Sequence, residues 1–141
     1  MSETKYFDLH TTGIGYLNRA RVVDVKRGPP FLAVNVNALH GAADSPEYTR
    51  FDCRVCGEAA IHVLTDLKGL IEARGPENRP AHRVLAGFKL SDLYAETFVY
   101  QKGERQGQTG VALKARLLRI DWVKVDGEPY PLPQTEKAQA A

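Results

Sequence analysis

Apolar and polar residues alternate along most of this chain, and one stretch breaks the alternation. From Gly57 to Glu72, Ala60, Leu64, Leu67 and Ile71 recur at spacings of four, three and four, and Val63 and Leu70 widen the stripe. This is the period of one buried helical face. The pattern predicts a helix capped at Gly57, with Glu58 where a negative charge suits the helix dipole.

Three strand-like runs precede that helix. Gly13–Val25 places Leu17, Arg19, Arg21, Val23 and Val25 on one face and Tyr16, Asn18, Ala20 and Val22 on the other. The apolar side changes part-way, as in a strand serving both halves of a curled sheet, with Gly13 and Gly15 permitting a bend. After a turn over Lys26–Pro30, Phe31–Leu39 alternates cleanly. Leu32, Val34, Val36 and Ala38 are its core set, and Phe31, Ala33, Asn35 and Asn37 its outer set. Tyr48–Cys56 turns Phe51, Cys53 and Val55 inward and Tyr48, Arg50, Asp52 and Arg54 outward.

After the helix, Ala73–Pro80 reads as a loop and Arg83–Leu90 as a fourth strand, with Val84, Ala86, Phe88 and Leu90 inward. Ser91–Gly110 reads as a long protruding hairpin turning through KGERQGQTG. Gly110–Trp122 is the fifth strand. Val111, Leu113, Ala115 and Leu117 are expected inside, then Leu118, Ile120 and Trp122, which implies a bulge. Residues 1–12 are expected to be an irregular lead-in, with Tyr6, Phe7 and Leu9 folded back onto the domain. Asp126-Gly127 is a turn, and residues 128–141 are expected to form a flexible tail.

Three strands, one helix, then two strands is the element order of the OB-fold, a partly open five-stranded barrel that binds oligonucleotides or oligosaccharides. The fold expected is therefore mainly β: a five-stranded OB-fold barrel over residues 13–127, with one helix between strands 3 and 4 and a long strand 4–5 hairpin. A lone helix is also found in other α+β domains.

Composition narrows this picture only a little. A chain of 141 residues suits one domain with its own core. Hydrophobic content of 43% and charged content of 26% are ordinary for a globular protein. No apolar run reaches the length of a membrane span, and MSETKYFDLH lacks the character of a signal peptide. A cytoplasmic protein with reduced cysteines and no membrane partner is expected. Net charge is only +2. Its distribution is more informative: Arg83–Lys124 holds eight basic residues against four acidic, whereas Glu58–His82 holds three against four. Positive charge gathers on the strands, as a phosphate-tracking surface requires, although a solvated sheet face looks the same.

Catalytic and metal chemistry find little support. Cys53 and Cys56 have CxxC spacing, but there is no second pair, and strand residues three apart point to opposite faces. The four histidines share no ligand spacing, and no phosphate loop, nucleophile elbow or paired acids stand out. Neither an enzyme nor a cofactor is expected. Single-strand binding needs aromatic platforms beside cations on a sheet face. Candidate contacts are Phe31, Asn35, Tyr48, Arg50 and Arg54 on strands 2 and 3. Tyr94, Phe98, Tyr100, Lys102 and Arg105 are candidates on the hairpin, and Lys114 and Arg116 on strand 5. Trp122 follows an inward set and is read as structural.

YFDLHTTGIGYLNR, PFLAV, YTRFDCRV followed by Gly57, and GFKLSDLYAETFVYQKGERQGQTGVALKARLL together resemble a family of uncharacterised proteins of bacterial integrative conjugative elements and genomic islands, described as element replication proteins. The layout is more loosely similar to bacterial single-stranded DNA-binding proteins, whose third-strand aromatics stack bases, a role that falls on Tyr48. The terminal TEKAQAA lacks the acidic, Phe-ended tip of that group. The resemblances imply single-stranded DNA binding with little sequence specificity, in replication or transfer of a mobile element. Partners so implied are single-stranded DNA, a second copy in a dimer or tetramer, and other replication proteins. The alternative is an OB-type protein-interaction or assembly module.

Overall fold

Alternation of the kind seen in FLAVNVNAL buries one side of each strand, and a sheet of such strands must curl to enclose what it buries. The computed structural model describes residues 7–132 and shows that closure. Its strands are β1 (His10–Val23), β2 (Phe31–His40), β3 (Glu47–Val55), β4 (Val84–Val99), β5 (Thr109–Val125) and β6 (Glu128–Tyr130), with one α-helix, α1 (Glu58–Glu72), between β3 and β4. The sheet order is β3-β2-β1-β4-β5-β6, and β3 also pairs with β5. That last pairing is parallel, Phe51–Val55 against Leu113–Leu117, and it closes a five-stranded barrel. Element order, helix position and closure agree with the OB-type barrel expected from the sequence.

The core is built from the predicted faces. Val34 and Val36 of β2, Phe51, Cys53 and Val55 of β3, and Val84, Ala86, Phe88 and Leu90 of β4 are all buried. Ala60, Val63, Leu64, Leu67 and Ile71 add the stripe of α1, which packs against β1, β3 and β5. Each such Leu or Val side chain contributes roughly 1.5–3 kcal/mol by leaving water. Gly57 caps α1 with extended backbone but makes no side-chain cap. A Cβ there would run into the carbonyl of Leu118 on β5, so close approach is the reason for glycine.

Several expectations are corrected. β1 begins at His10, so the lead-in is shorter than residues 1–12. Phe7 is 101% exposed and Leu9 is exposed, so neither folds back; Tyr6 lies outside the described residues. The bend of β1 sits at Arg19, not at Gly13 or Gly15. Arg19 has φ 51°, and the β1–β2 register shifts between Asn18 and Arg21. This bulge is what lets Leu17 and Ala20 both point inward.

The predicted hairpin is strand for most of its length, with the turn confined to the segment between Val99 and Thr109. Its two strands pair from Tyr94↔Lys114 to Val99↔Thr109, and they leave the barrel past Leu113, where the pairing of β5 with β3 begins. Val111 lies there too and is 64% exposed instead of inward. The register of β5 against β4 shifts three times, twice between Leu117 and Trp122, so that Leu117, Ile120 and Val123 are buried while Leu118 and Trp122 are not. The Asp126-Gly127 turn is present, but Glu128–Tyr130 returns as β6 against β5 and Tyr130 and Leu132 pack on the core. The flexible-tail expectation fails for 128–132; the remainder, 133–141, lies outside the described residues.

Candidate nucleic-acid interface

Residues facing each other across a ladder share a side of the sheet, as do residues two apart along a strand. These two rules assemble the outer face. One rung crosses all five barrel strands: Asn18 pairs with Asn35, Asn35 with Asp52, Asp52 with Lys114, and Lys114 with Tyr94. The rung on one side runs through Ala33, Arg54, Arg116 and Ser91. The rung on the other runs through Tyr16, Asn37 and Arg50. Three rungs therefore gather Tyr16, Arg50, Arg54, Lys114, Arg116 and Tyr94 on one surface, with Tyr48 two residues beyond Arg50.

Asp52 organises the middle of this surface. Its carboxylate accepts hydrogen bonds from Arg21 at 2.8 Å and from Lys114 at 2.7 Å. Partial burial works to raise its pKa, but the hydrogen bonds from Lys114 and Arg21, with their charges, outweigh this and hold it below its ordinary value. Lys114 is raised above its ordinary value, chiefly by the hydrogen bond to Asp52. Arg21 also donates to the side-chain oxygen of Asn35 at 3.3 Å.

Other cations are held more loosely. The Arg54 guanidinium sits over the Phe31 ring, 4.5 Å from its centroid. Arg116 pairs with Asp92 at 3.4 Å across the exposed surface. Arg50 is exposed and makes no ion pair among the described residues. Tyr48 and Tyr94, each 54% exposed, offer open rings.

The candidates named from the sequence thus fall into two groups. Phe31, Tyr48, Arg50, Arg54, Tyr94, Lys114 and Arg116 share the barrel face. Phe98, Tyr100 and Arg105 form a separate cluster at the hairpin tip. Phe98 lies over Gly110 and meets Tyr100 edge-on at 4.9 Å, and Arg105 lies 5.7 Å from the Tyr100 ring centroid. Phe98 is on the same side of the hairpin as Tyr94, about 13 Å further along the strand. Lys102 is exposed in the tip turn and joins neither cluster. Asn35 is the exception on the barrel face. It is only 4% exposed, its side-chain oxygen is engaged by Arg21, and it supports the surface from beneath.

Sequence reasoning did not single out Tyr16, Arg83 or Asn37, and it weighed Trp122 as a stacking residue but read it as structural. Tyr16 lies 6.4 Å from Tyr48, ring to ring, and carries the Arg83 guanidinium at 5.4 Å. Asn37 joins them through the ladder. Trp122 is on the outside: it pairs with Gly87, and a Cβ at Gly87 would strike the indole ring. Alternation in sequence does put Tyr16 and Asn37 on outer sets. Nothing short of the Gly87↔Trp122 register could have turned Trp122 outward.

Cys53 and Cys56 do not converge. The Cys53 thiol is in the core near the Phe51 carbonyl, and burial pushes its pKa up to about 12. Cys56 turns toward the Arg54 carbonyl and is half-buried. Among the described residues no three His, Cys, Asp or Glu side chains are placed to share a metal ion. No helix there is long and apolar enough to cross a membrane.

A family model described as "Protein of unknown function (DUF3577)" matches residues 1–138. The chain belongs to that family. The closed barrel and its outer face are accordingly features of a DUF3577 domain. No curated protein and no solved structure matches the chain.

Proposed function

We infer that the outer face of this barrel binds single-stranded DNA with little sequence specificity and performs no catalytic step. One observation carries the inference: open tyrosine rings and cations share one outer face of a closed barrel, over three adjacent rungs and the Tyr48 position beyond them. Tyr48 and Tyr94 supply π-faces, and Arg50, Arg54, Arg116 and Lys114 supply cations between them. Stacking accepts any base, and cations follow the phosphates whatever the sequence. The tip cluster of Phe98, Tyr100 and Arg105 would extend this surface along the hairpin. The sequence resemblance supports a setting in replication or transfer of a mobile element, with a homo-oligomer and other replication proteins as partners.

A second reading has its own support. Lys114 and Arg21 are already paired with Asp52, Arg116 with Asp92, and the hairpin exposes Val99 and Val111. A surface with neutralised cations and an apolar arm also suits a protein-interaction module. Salt separates the two. Anisotropy of a labelled oligo-dT, titrated at low and at physiological salt, should show saturable binding that weakens steeply as salt rises, through counterion release. Folded protein that leaves the oligonucleotide free even at low salt would favour the interaction module.

A further inference from the structure

Where β1 and β2 approach the connection between α1 and β4, the outer face is grooved. A concavity of about 570 Å³ is lined by Tyr16, Asn18, Asn37, Tyr48, Arg79 and Arg83, among others. It lies at the edge of the rungs described above, and the chemistry of its lining is mixed in a particular way. Tyr48 presents an exposed ring, with the Tyr16 ring tilted 42° to it. Asn18 and Asn37 make no side-chain hydrogen bond among the described residues, so both amides can donate and accept. Arg83 makes no ion pair among those residues, and Arg79 meets only Glu77, at 3.3 Å on the open surface.

The segment bearing the two arginines is held in place. Arg74 and Pro80 form an isolated bridge, the Gly75 amide donates to the Arg79 carbonyl at 2.7 Å, and the Ala81 amide donates to the Ala73 carbonyl at 2.9 Å. The Asp126 carboxylate accepts from the Arg83 amide at 2.9 Å and pairs with His82 at 2.7 Å. Backbone fixed in this way spares the cost of ordering a loop on binding, leaving only that of the two arginine side chains.

We propose that this groove seats one nucleotide of a single strand, its base against Tyr48 and Tyr16 and its phosphate on Arg79 and Arg83. Flat π-faces, free amides and two cations in one concavity match the three parts of a nucleotide: base face, base edge and phosphate. An apolar ligand would leave the arginines unused, and a bare anion would leave the rings unused. The groove thereby continues the binding track from the Asp52 rung across β1 to the α1–β4 connection. The proposal rests on the single-strand reading given above.

The test uses the whole chain, with the double variant Arg79→Ala/Arg83→Ala beside the unsubstituted protein. Both side chains are exposed, so the fold should survive, and circular dichroism checks it. Oligo-dT carrying 5-iodouracil is titrated by anisotropy over a salt series and then photo-cross-linked, with the adduct located by mass spectrometry. Expected are a cross-link at Tyr16, a five-fold or larger rise in Kd for the variant, and a log–log salt slope smaller by about 0.7 for each phosphate that the variant leaves unneutralised. If the unsubstituted protein binds but the variant matches it in Kd and slope, with cross-links only at Tyr94 or Tyr100, the groove proposal falls and the single-strand reading stands. If the unsubstituted protein does not bind, both fall.

Discussion

The ammonium of Lys114 on β5 lies 2.7 Å from the carboxylate of Asp52 on β3, across the parallel pair that closes the barrel. Arg21 of β1 approaches the other oxygen of that carboxylate at 2.8 Å. One acid therefore ties three strands together, and it does so in the middle of the surface that carries the candidate phosphate-binding groups. The same group stabilises the barrel and engages two of the cations on that surface.

Asp52→Asn should pull these two effects apart. Loss of the charge-assisted bonds should lower stability by about 1–2 kcal/mol, the partial exposure of all three groups reducing a larger buried value. Freed Lys114 and Arg21 should at the same time tighten oligo-dT binding and steepen its salt dependence. Urea unfolding and anisotropy on the same preparation read both. A variant that is less stable and also binds more weakly would mean that Asp52 shapes the face and does not compete with ligand.

The pH dependence follows from the directions of the shifts. Asp52 is lowered in the fold, so its stabilisation is present above the unfolded carboxylate range of about 4 and is lost as pH falls through the lowered value. Lys114 is raised, so its share is present below about 10.4 and is lost as pH rises through the raised value. Unfolding midpoints in urea should be flat from about pH 4 to about 8.5, above which ionisation of the Cys53 thiol in the unfolded chain lowers stability, and Asp52→Asn should remove part of the acid limb. An acid limb unchanged in that variant would assign it to other carboxylates.

Two glycines, one at the start of α1 and one near its end, should respond oppositely to alanine. Gly57→Ala places a Cβ against the Leu118 carbonyl, a backbone atom that cannot step aside, and should cost about 1–3 kcal/mol. Gly69 sits inside the helix with open space around it, and Gly69→Ala should add about 0.5–1 kcal/mol through helix propensity. Thermal unfolding of the pair checks this. Equal and small effects would place Gly57 in a looser junction than the structure gives it.

The cysteines should differ in reactivity. Cys53 is 1% exposed with its thiol pKa pushed up to about 12, chiefly by burial, and Cys56 is only half-buried. Iodoacetamide at pH 8 should modify one thiol in the folded protein and two in denaturant. Peptide mapping that finds Cys53 labelled in the folded state would contradict its core position.

The parts of this fold that were legible in the sequence are those where one residue alone decides its face. Leu64 and Leu67 could only belong to a buried helical stripe, and Val34 and Val36 only to a buried strand face. The rest depends on what a residue meets across the sheet. Arg19 carries no sign of the left-handed conformation that bends β1, because arginine rarely adopts it. Val111 looks like core because its strand is core further on, but the hairpin has already left the barrel there. Asn35 looks like an available amide, and Asp52 like a minor neighbour of two arginines. The ladder, not the local sequence, brings Arg21 and Lys114 onto Asp52.

Binding measured beside two variants tests the inferred single-strand face most directly. Oligo-dT is titrated by anisotropy over a salt series with the unsubstituted protein, with Tyr48→Ala and with Arg50→Ala/Arg54→Ala. Tyr48 is exposed and is the proposed stacking platform, so its loss should cost about 1–3 kcal/mol of binding with the fold retained. The arginine pair should lower the log–log salt slope by about 0.7 for each phosphate that those arginines neutralise. Folded variants that bind as tightly as the unsubstituted protein, with the same slope, would contradict single-strand binding on this face.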